Sequence, residues 1–235
     1  MGNKLFNPRS LFMIKAIIYD LDNVIVNSSP LHVRALEAVL NQYGITYNDL
    51  PFEDRARFVG MRVGDVIKEV TEKFNLKREA EIINQERRAI FLDLVNKELA
   101  LMPGLIRSLD LFKKKFKIGL ATLGKRSYVN LVFDKFNLSE YFNVTVAGDE
   151  VVKAKPDPEI YLVAAAKLGL QPNQCLAIED ATLGIESAKN ADCKCLAVAS
   201  PYTPAQDLSK ADLVLKSLEE ISEDFIKSLS VKFYD

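Results

Sequence analysis

The sequence predicts an α/β protein built on a parallel sheet, with a block of helices inserted after the first strand. Three observations carry that reading. Continuously apolar runs of strand length recur along the chain, helical periodicity fills the gaps between them, and one stretch of about 70 residues carries helical patterns alone.

The first apolar run covers residues 14–19, followed by 117–122, 144–147, 175–179, 194–198 and a weaker 212–215. Runs this rich in Ile, Leu, Val and Ala suit strands covered on both faces, the condition of a parallel sheet. Between them, residues 104–115, 126–137, 157–168 and 182–190 place apolar side chains at helical spacing, so the alternation reads as βα units. From Leu31 to Leu101 no strand pattern occurs. Ser29 and Pro30 read as the N-cap and first turn of a helix whose stripe is Leu31, Ala35, Leu36, Val39, Leu40 and Tyr43, with Gly44 placed to end it. Further helices are predicted over 65–74 and 78–99, and Met102, Pro103 and Gly104 mark the return. The expected organisation is a catalytic core of residues 1–30 and 102–235 with a helical cap domain of residues 31–101.

Composition narrows the function. The chain has 235 residues, 49% hydrophobic and 27% charged, and 31 Lys plus Arg against 32 Asp plus Glu give a formal net charge of −1. That length holds a substantial core without disulfides. A balanced charge and a pI near 6.0 argue against a nucleic-acid partner, and the one dense basic run, Lys113, Lys114, Lys115 and Lys117, reads as the solvated end of an amphipathic segment. Cys175, Cys193 and Cys195, an odd number inside apolar stretches, fit a reducing compartment better than a disulfide framework. Cys193 and Cys195 share one face of a strand pattern, with no further thiol or imidazole nearby to close a zinc site. The apolar run 11–20 is interrupted by Lys15 and is too short for a membrane span. Phe6 stands where a myristoylation pattern after Met1 and Gly2 requires Ser or Thr, and no cleavable signal follows. The expectation is a cytoplasmic protein with no membrane partner, a monomer or small homo-oligomer.

Chemistry concentrates at the strand ends. The first strand runs into Asp20-Leu21-Asp22, and residues two apart in an extended segment point the same way, so two carboxylates project from the end where open α/β sheets bind ligands. Paired carboxylates raise each other's pKa or demand a cation, and a hard ion such as Mg²⁺ suits oxygen ligands. The second strand delivers Thr122, the fourth delivers Glu179 and Asp180, and Lys155 lies in the loop after the third. In a parallel sheet these ends share one edge, so two acidic pairs, a hydroxyl and an ammonium converge. Each alone has a structural reading as a cap, a first-turn acid or a surface cation; their joint placement at successive strand ends points to a site.

In order and context, Asp20-Leu21-Asp22-Asn23-Val24, Thr122 after Leu120-Ala121, Lys155-Pro156-Asp157-Pro158, and Ile178-Glu179-Asp180 with Gly184 and Ala188 beyond resemble the motifs of haloacid dehalogenase-like phosphohydrolases with a helical cap. The likeness covers nearly the whole chain and extends to beta-phosphoglucomutase and phosphoglycolate phosphatase-like enzymes. It implies a Rossmann-like core, a mobile cap and Mg²⁺-dependent transfer of a phosphoryl group to an aspartate. Asp20 is then the nucleophile, and Asp22 the general acid and base whose backbone carbonyl also ligates the metal. Thr122 and Lys155 hold the transferring oxygens, Leu21 and Leu123 lie beside the substrate, and Asp180, with Glu179, completes the metal shell with Asp20. The substrate implied is a small phosphorylated metabolite, a sugar phosphate or a phosphoglycolate-like compound.

Four positions depart from the usual pattern: Asn23 and Ala154 stand where Gly is common, Asn27 where Asp is common, and Ala181 where Ser often follows the acidic pair. None removes a catalytic group. His32, the one histidine, resembles a His of the sugar-phosphate enzymes that touches substrate or steers the acid, against the alternative of a structural core residue. Arg62, after Gly60-Met61, resembles a cap position that recognises a hydroxyl or second anion, with a solvated Arg as the alternative. Arg87 and Arg88 read as the cap's wet face. A phosphomutase of the beta-phosphoglucomutase type remains an alternative within the same chemistry. A non-catalytic phosphoacceptor or binding module is an alternative of another class, against which stand the helical insertion and the absence of a strand between Asp22 and Thr122.

Overall fold

A computed structural model of the chain describes residues 13–232, so Met1, Gly2 and Phe6, on which the expectations about signals and lipidation rest, lie outside the described residues. The sheet has six parallel strands in the order β3-β2-β1-β4-β5-β6. They are β1 (Ala16–Tyr19), β2 (Lys117–Ala121), β3 (Val144–Val146), β4 (Cys175–Glu179), β5 (Lys194–Val198) and β6 (Leu213–Leu215). Each predicted apolar run forms its strand, shortened by up to two residues at an end.

Alternation along the strands sorts the core into two layers. Ile17, Tyr19, Ile118, Leu120, Leu176, Ile178, Leu196 and Val198 face one side, where they pack with residues of three helices, α5 (Leu105–Lys113), α6 (Arg126–Phe136) and α9 (Glu223–Lys232). Ala16, Ile18, Ala121, Val146, Ala177 and Ala197 face the other, where they pack with α7 (Glu159–Leu168) and α8 (Thr182–Asn190). Cys175, Cys193 and Cys195 are buried in that second layer.

Helices α1 (Ser29–Leu40), α2 (Phe52–Phe58), α3 (Val63–Lys73) and α4 (Ala80–Glu98) fill the insertion. Leu36, Val39, Leu40, Leu50, Val66, Ile67, Val70 and Ile83 form a cluster of their own there, while Leu31, Ala35, Phe91, Val95 and Leu99 join the first layer of the core. Two corrections apply. Ser28, not Ser29, is the residue before the helix, and α2 carries no predicted pattern because none of its residues is buried. The two connections to the sheet lie side by side: Val26 bridges Leu101 antiparallel, Asn27 N–H donates to Ala100 O at 2.9 Å, and Met102 N–H donates to Ile25 O at 2.9 Å. No helix among the described residues is long and apolar enough to cross a membrane.

Candidate active site

The register of the sheet assembles the site. Tyr19 lies opposite Leu120 on one side and Ile178 on the other, so Asp20 emerges between the residues that lead into Thr122 and into Glu179 and Asp180. Asp20 N–H donates to Ile178 O at 3.0 Å, and Thr122 N–H donates to Val146 O at 3.1 Å, extending the ladders to the site itself. The loops after β2 and β3 touch at Gly148, whose N–H donates to Gly124 O at 2.8 Å and where a side chain would collide with the Leu123 carbonyl.

Asp20 is 7% exposed and held at both oxygens. Lys155 Nζ donates to Oδ1 at 2.7 Å and the Asp22 N–H donates to Oδ2 at 3.1 Å. Burial raises its pKa against the pull of Lys155, and the neighbouring Glu179 and Asp22 charges add to the rise. Lys155 Nζ also donates to Glu179 Oε1 at 2.5 Å and to Ala121 O at 3.5 Å. Burial alone would lower the lysine's pKa; Asp20 and Glu179 outweigh it and keep the ammonium charged. Glu179 accepts in addition from Tyr161 Oη at 2.5 Å and from Asp180 N–H at 3.3 Å, and Gly184 leaves the room its carboxylate occupies. Asp180 has one oxygen on Asn23 Nδ2 at 3.0 Å, and burial, then the Glu179 and Asp20 charges, push its pKa well up.

Carboxylate oxygens of Asp20, Glu179 and Asp180 lie within 4.8 Å of one another. With all three carboxylates ionised, the single ammonium of Lys155 would leave two negative charges uncompensated in a buried, all-oxygen setting, and a hard divalent cation is the group that would favour that state.

Asp22 is held differently. Its Oδ1 accepts from Ser28 Oγ at 2.5 Å and Tyr128 Oη at 3.1 Å, with His32 Nε2 3.9 Å away. Burial raises its pKa, and these donors, His32 first, bring it below the ordinary carboxylate value. Above this floor lies a cavity of about 250 Å³ roofed by the inserted helices. Asp20, Asp22, Thr122, Leu123, Lys155, Glu179 and Asp180 line it from the core, and His32 and Arg62 from the insertion. Leu21 is the exception: its side chain is buried in the core and its carbonyl is taken by the N–H groups of Ile25 and Val26.

Arg62 lines the cavity but spends its donors on the core, bonding the carbonyls of Gly148 (3.2 Å), Val151 (3.3 Å) and Val152 (3.4 Å). Arg87 is not on a wet face. It is 5% exposed, bonds His32 Nδ1 at 3.0 Å and lies over the Phe91 ring, while half-buried Arg88 also lines the cavity. Paired arginines in a polar helix stretch carry no periodic signal, so which one turns inward is invisible in the sequence.

With that geometry in place, a family model for haloacid dehalogenase-like hydrolases matches residues 17–198, well over half the chain. The chain belongs to that family. Among its relatives are a phosphorylated carbohydrates phosphatase of Thermotoga maritima, 32% identical over 76% of this chain and 82% of the relative, and hexitol phosphatase B of Escherichia coli, 30% identical over 89% and 95%. A crystal structure of beta-phosphoglucomutase from Clostridium difficile superposes with a TM-score of 0.79 at 25% identity, covering 94% of this chain and 99% of that one. This haloacid dehalogenase-like hydrolase is accordingly an enzyme acting on phosphoric monoesters.

Four of its site contacts come from residues that no sequence signal marked: Ser28 and Tyr128 on Asp22, Tyr161 on Glu179, and Arg87 on His32. Asn23 is the exception among such contacts, because its departure from the usual Gly is visible. It holds a left-handed φ of 59°, and its side chain ties Asp180 to the Ser29 N–H at the start of α1.

Proposed function

We propose that the enzyme is a magnesium-dependent phosphatase that hydrolyses a small phosphomonoester, a sugar phosphate or a phosphoglycolate-like metabolite, through a phosphoryl group carried on Asp20. The observation that carries this reading is the clamp on Asp20: a buried carboxylate at the cavity floor, one oxygen fixed by an ammonium and the other by a backbone N–H. A carboxylate so held needs no reorientation before in-line attack on phosphorus. Its oxygen bonds to phosphorus as the P–O bond to the alcohol breaks, and Asp22 gives the leaving oxygen a proton. Asp22 then takes a proton from the water that displaces phosphate from Asp20. The donors on Asp22 keep it ionised in the free enzyme, and an anionic substrate beside it favours the protonated form that the first step needs.

Lys155 and Thr122 hold the transferring oxygens. Thr122 Oγ1 accepts from the Gly124 N–H at 3.0 Å, which leaves its own proton to donate. Asp20, Asp180, Glu179 and the Asp22 carbonyl are the groups that would hold Mg²⁺, which when bound neutralises charge on the phosphoryl oxygens. Residues 31–101 act as the cap domain over a core of 1–30 and 102–235, excluding bulk water and limiting the substrate to a small molecule.

The likeness to beta-phosphoglucomutase supports a second reading, in which the phosphoryl group returns to a sugar rather than to water. One assay separates the two. Phosphate release from sugar phosphates and phosphoglycolate should vanish with chelator and return with Mg²⁺, while hexose phosphate isomers followed in parallel report any mutase activity. Asp20→Asn should abolish both turnover and the acid-stable phosphoenzyme. Full activity in excess chelator, or covalent phosphate on another residue, would overturn the proposal.

A further inference from the structure

The cap carries seven arginines, and they divide by direction. Arg34, Arg57 and Arg78 lie outside the cavity lining, and each is paired with carboxylate: Arg34 with Glu98, Arg57 with Glu69 and Asp54, Arg78 with Glu86. Arg55, Arg62, Arg87 and Arg88 line the cavity, and among the described residues none of the four forms an ion pair. Arg55 meets an amide oxygen of Asn48, Arg62 three backbone carbonyls and Arg88 the Ser127 hydroxyl. The sign of the cavity therefore changes from bottom to top. Its four lining carboxylates, Asp20, Asp22, Glu179 and Asp180, all belong to the core.

Arg87 is the most exacting case. At 5% exposure its hydrogen bond goes to the His32 imidazole, its Nε is buried with no partner, and its guanidinium rests on the Phe91 ring at 5.2 Å. The nearest carboxylate acting on it, Asp22, lies across the His32 ring, so the guanidinium is enclosed with no anion in hydrogen-bond reach, an arrangement that an incoming anion would complete. Asn84, three residues before it on the same face of α4, lines the cavity too, as does Arg88, the next residue along. Leu36, Phe58 and Val66, also from the inserted helices, add apolar side chains to the cavity lining.

We infer that the roof of the cavity is an anion site centred on Arg87, with Asn84 and Arg88 beside it, and that the substrate is a phosphomonoester whose alcohol carries a further anionic group. The planar fork of a guanidinium takes a carboxylate or a second phosphate in paired hydrogen bonds. The carbon skeleton crosses the cavity, with one anion at Asp20 and Lys155 and the other at the roof. This rests on the phosphatase reading, since it is the reacting phosphate that sets the far end of the molecule.

Matched substrates test it. Phosphoglycolate is compared with ethyl phosphate, and fructose bisphosphate with fructose monophosphate, each pair differing by one anionic group. In the wild type kcat/KM should favour the anionic member by about 10² or more in one pair, and which pair does so tells a carboxylate from a phosphate. Arg87→Met should cut that ratio at least tenfold, and Arg87→Lys should recover part of it. A defect transmitted through His32 to Asp22 would slow both members alike and cancel in the ratio. Arg88→Met, at a half-buried position, gives a second variant whose ratio should fall several-fold. Ratios near one for both pairs in the wild type, or a ratio untouched by Arg87→Met in a protein that retains its melting transition, would overturn the inference. If no ester at all releases phosphate with Mg²⁺ present, the phosphatase reading fails. Calorimetric binding of the same pairs then decides the anion site, whose existence requires tighter binding of the anionic member that Arg87→Met removes.

Discussion

Lys155 and Arg87 are both nearly enclosed cations facing one cavity, at 6% and 5% exposure, yet their surroundings differ in kind. Lys155 has two carboxylates at 2.5 and 2.7 Å, both delivered by neighbouring strands of the central sheet. Arg87, on the inserted helix α4, has an imidazole and an aromatic face. The first charge is neutralised by the fold before any substrate arrives, which is what a site that must hold a fixed geometry requires. The second is completed by whatever enters. The sheet thus completes the contacts of its cation in advance, and the insertion leaves those of its own cation open.

The largest effect is expected at Lys155. Lys155→Met should lower kcat by about 10³, the scale of removing a preorganised donor at developing charge, with the fold intact by circular dichroism. A loss of less than tenfold would show that Lys155 organises carboxylates without acting on the phosphoryl group. Arg62 tests the boundary between the two regions. Because it clasps core carbonyls, Arg62→Gln should reduce kcat/KM about tenfold for an aryl phosphate and for the preferred substrate alike, through poorer closure. A loss confined to the preferred substrate would return Arg62 to the substrate-recognising role its position suggested.

The smallest effect comes from a carboxylate that serves the fold alone. Asp212 accepts from Lys189 Nζ at 2.7 Å and from the Cys195 N–H at 2.8 Å. Burial raises its pKa, and the Lys189 and backbone contacts bring it below the ordinary carboxylate value. Its stabilisation is therefore fully present above the ordinary carboxylate range and fades as pH falls through the lowered folded value. Asp212→Asn should cost about 1 kcal/mol near neutrality and less in acid, with kcat unchanged; urea unfolding at two pH values reads it. A kinetic effect would blur the line between charges of the fold and charges of the site.

What the sequence shows follows the same division. Strands buried on both faces must be continuously apolar, so Ile17, Leu120, Ile178 and Leu196 announce the sheet, and the polar residues just beyond them announce its edge. The inserted helices are read less completely. Helix α2 buries nothing and so has no stripe, and α4 carries charge on several faces, which hides the inward turn of Arg87. The rings of Tyr128 and Tyr161 are buried and only their hydroxyls meet the site carboxylates, and a hydroxyl at the tip of a buried ring leaves no period in a sequence.

The paired connections at Val26 and Leu101 have a consequence for the history of such molecules. The chain leaves the sheet and returns at adjacent rungs, so from the sheet's side the whole insertion is one loop whose ends already touch. Closing a loop with touching ends grows more unfavourable by only about 0.6 kcal/mol for each doubling of its length. Lengthening, shortening or exchanging the inserted helices therefore leaves the pairing of β1 with β2 and β4 unstrained. A scaffold with this property can keep one reaction and change what it recognises by replacing a single contiguous segment.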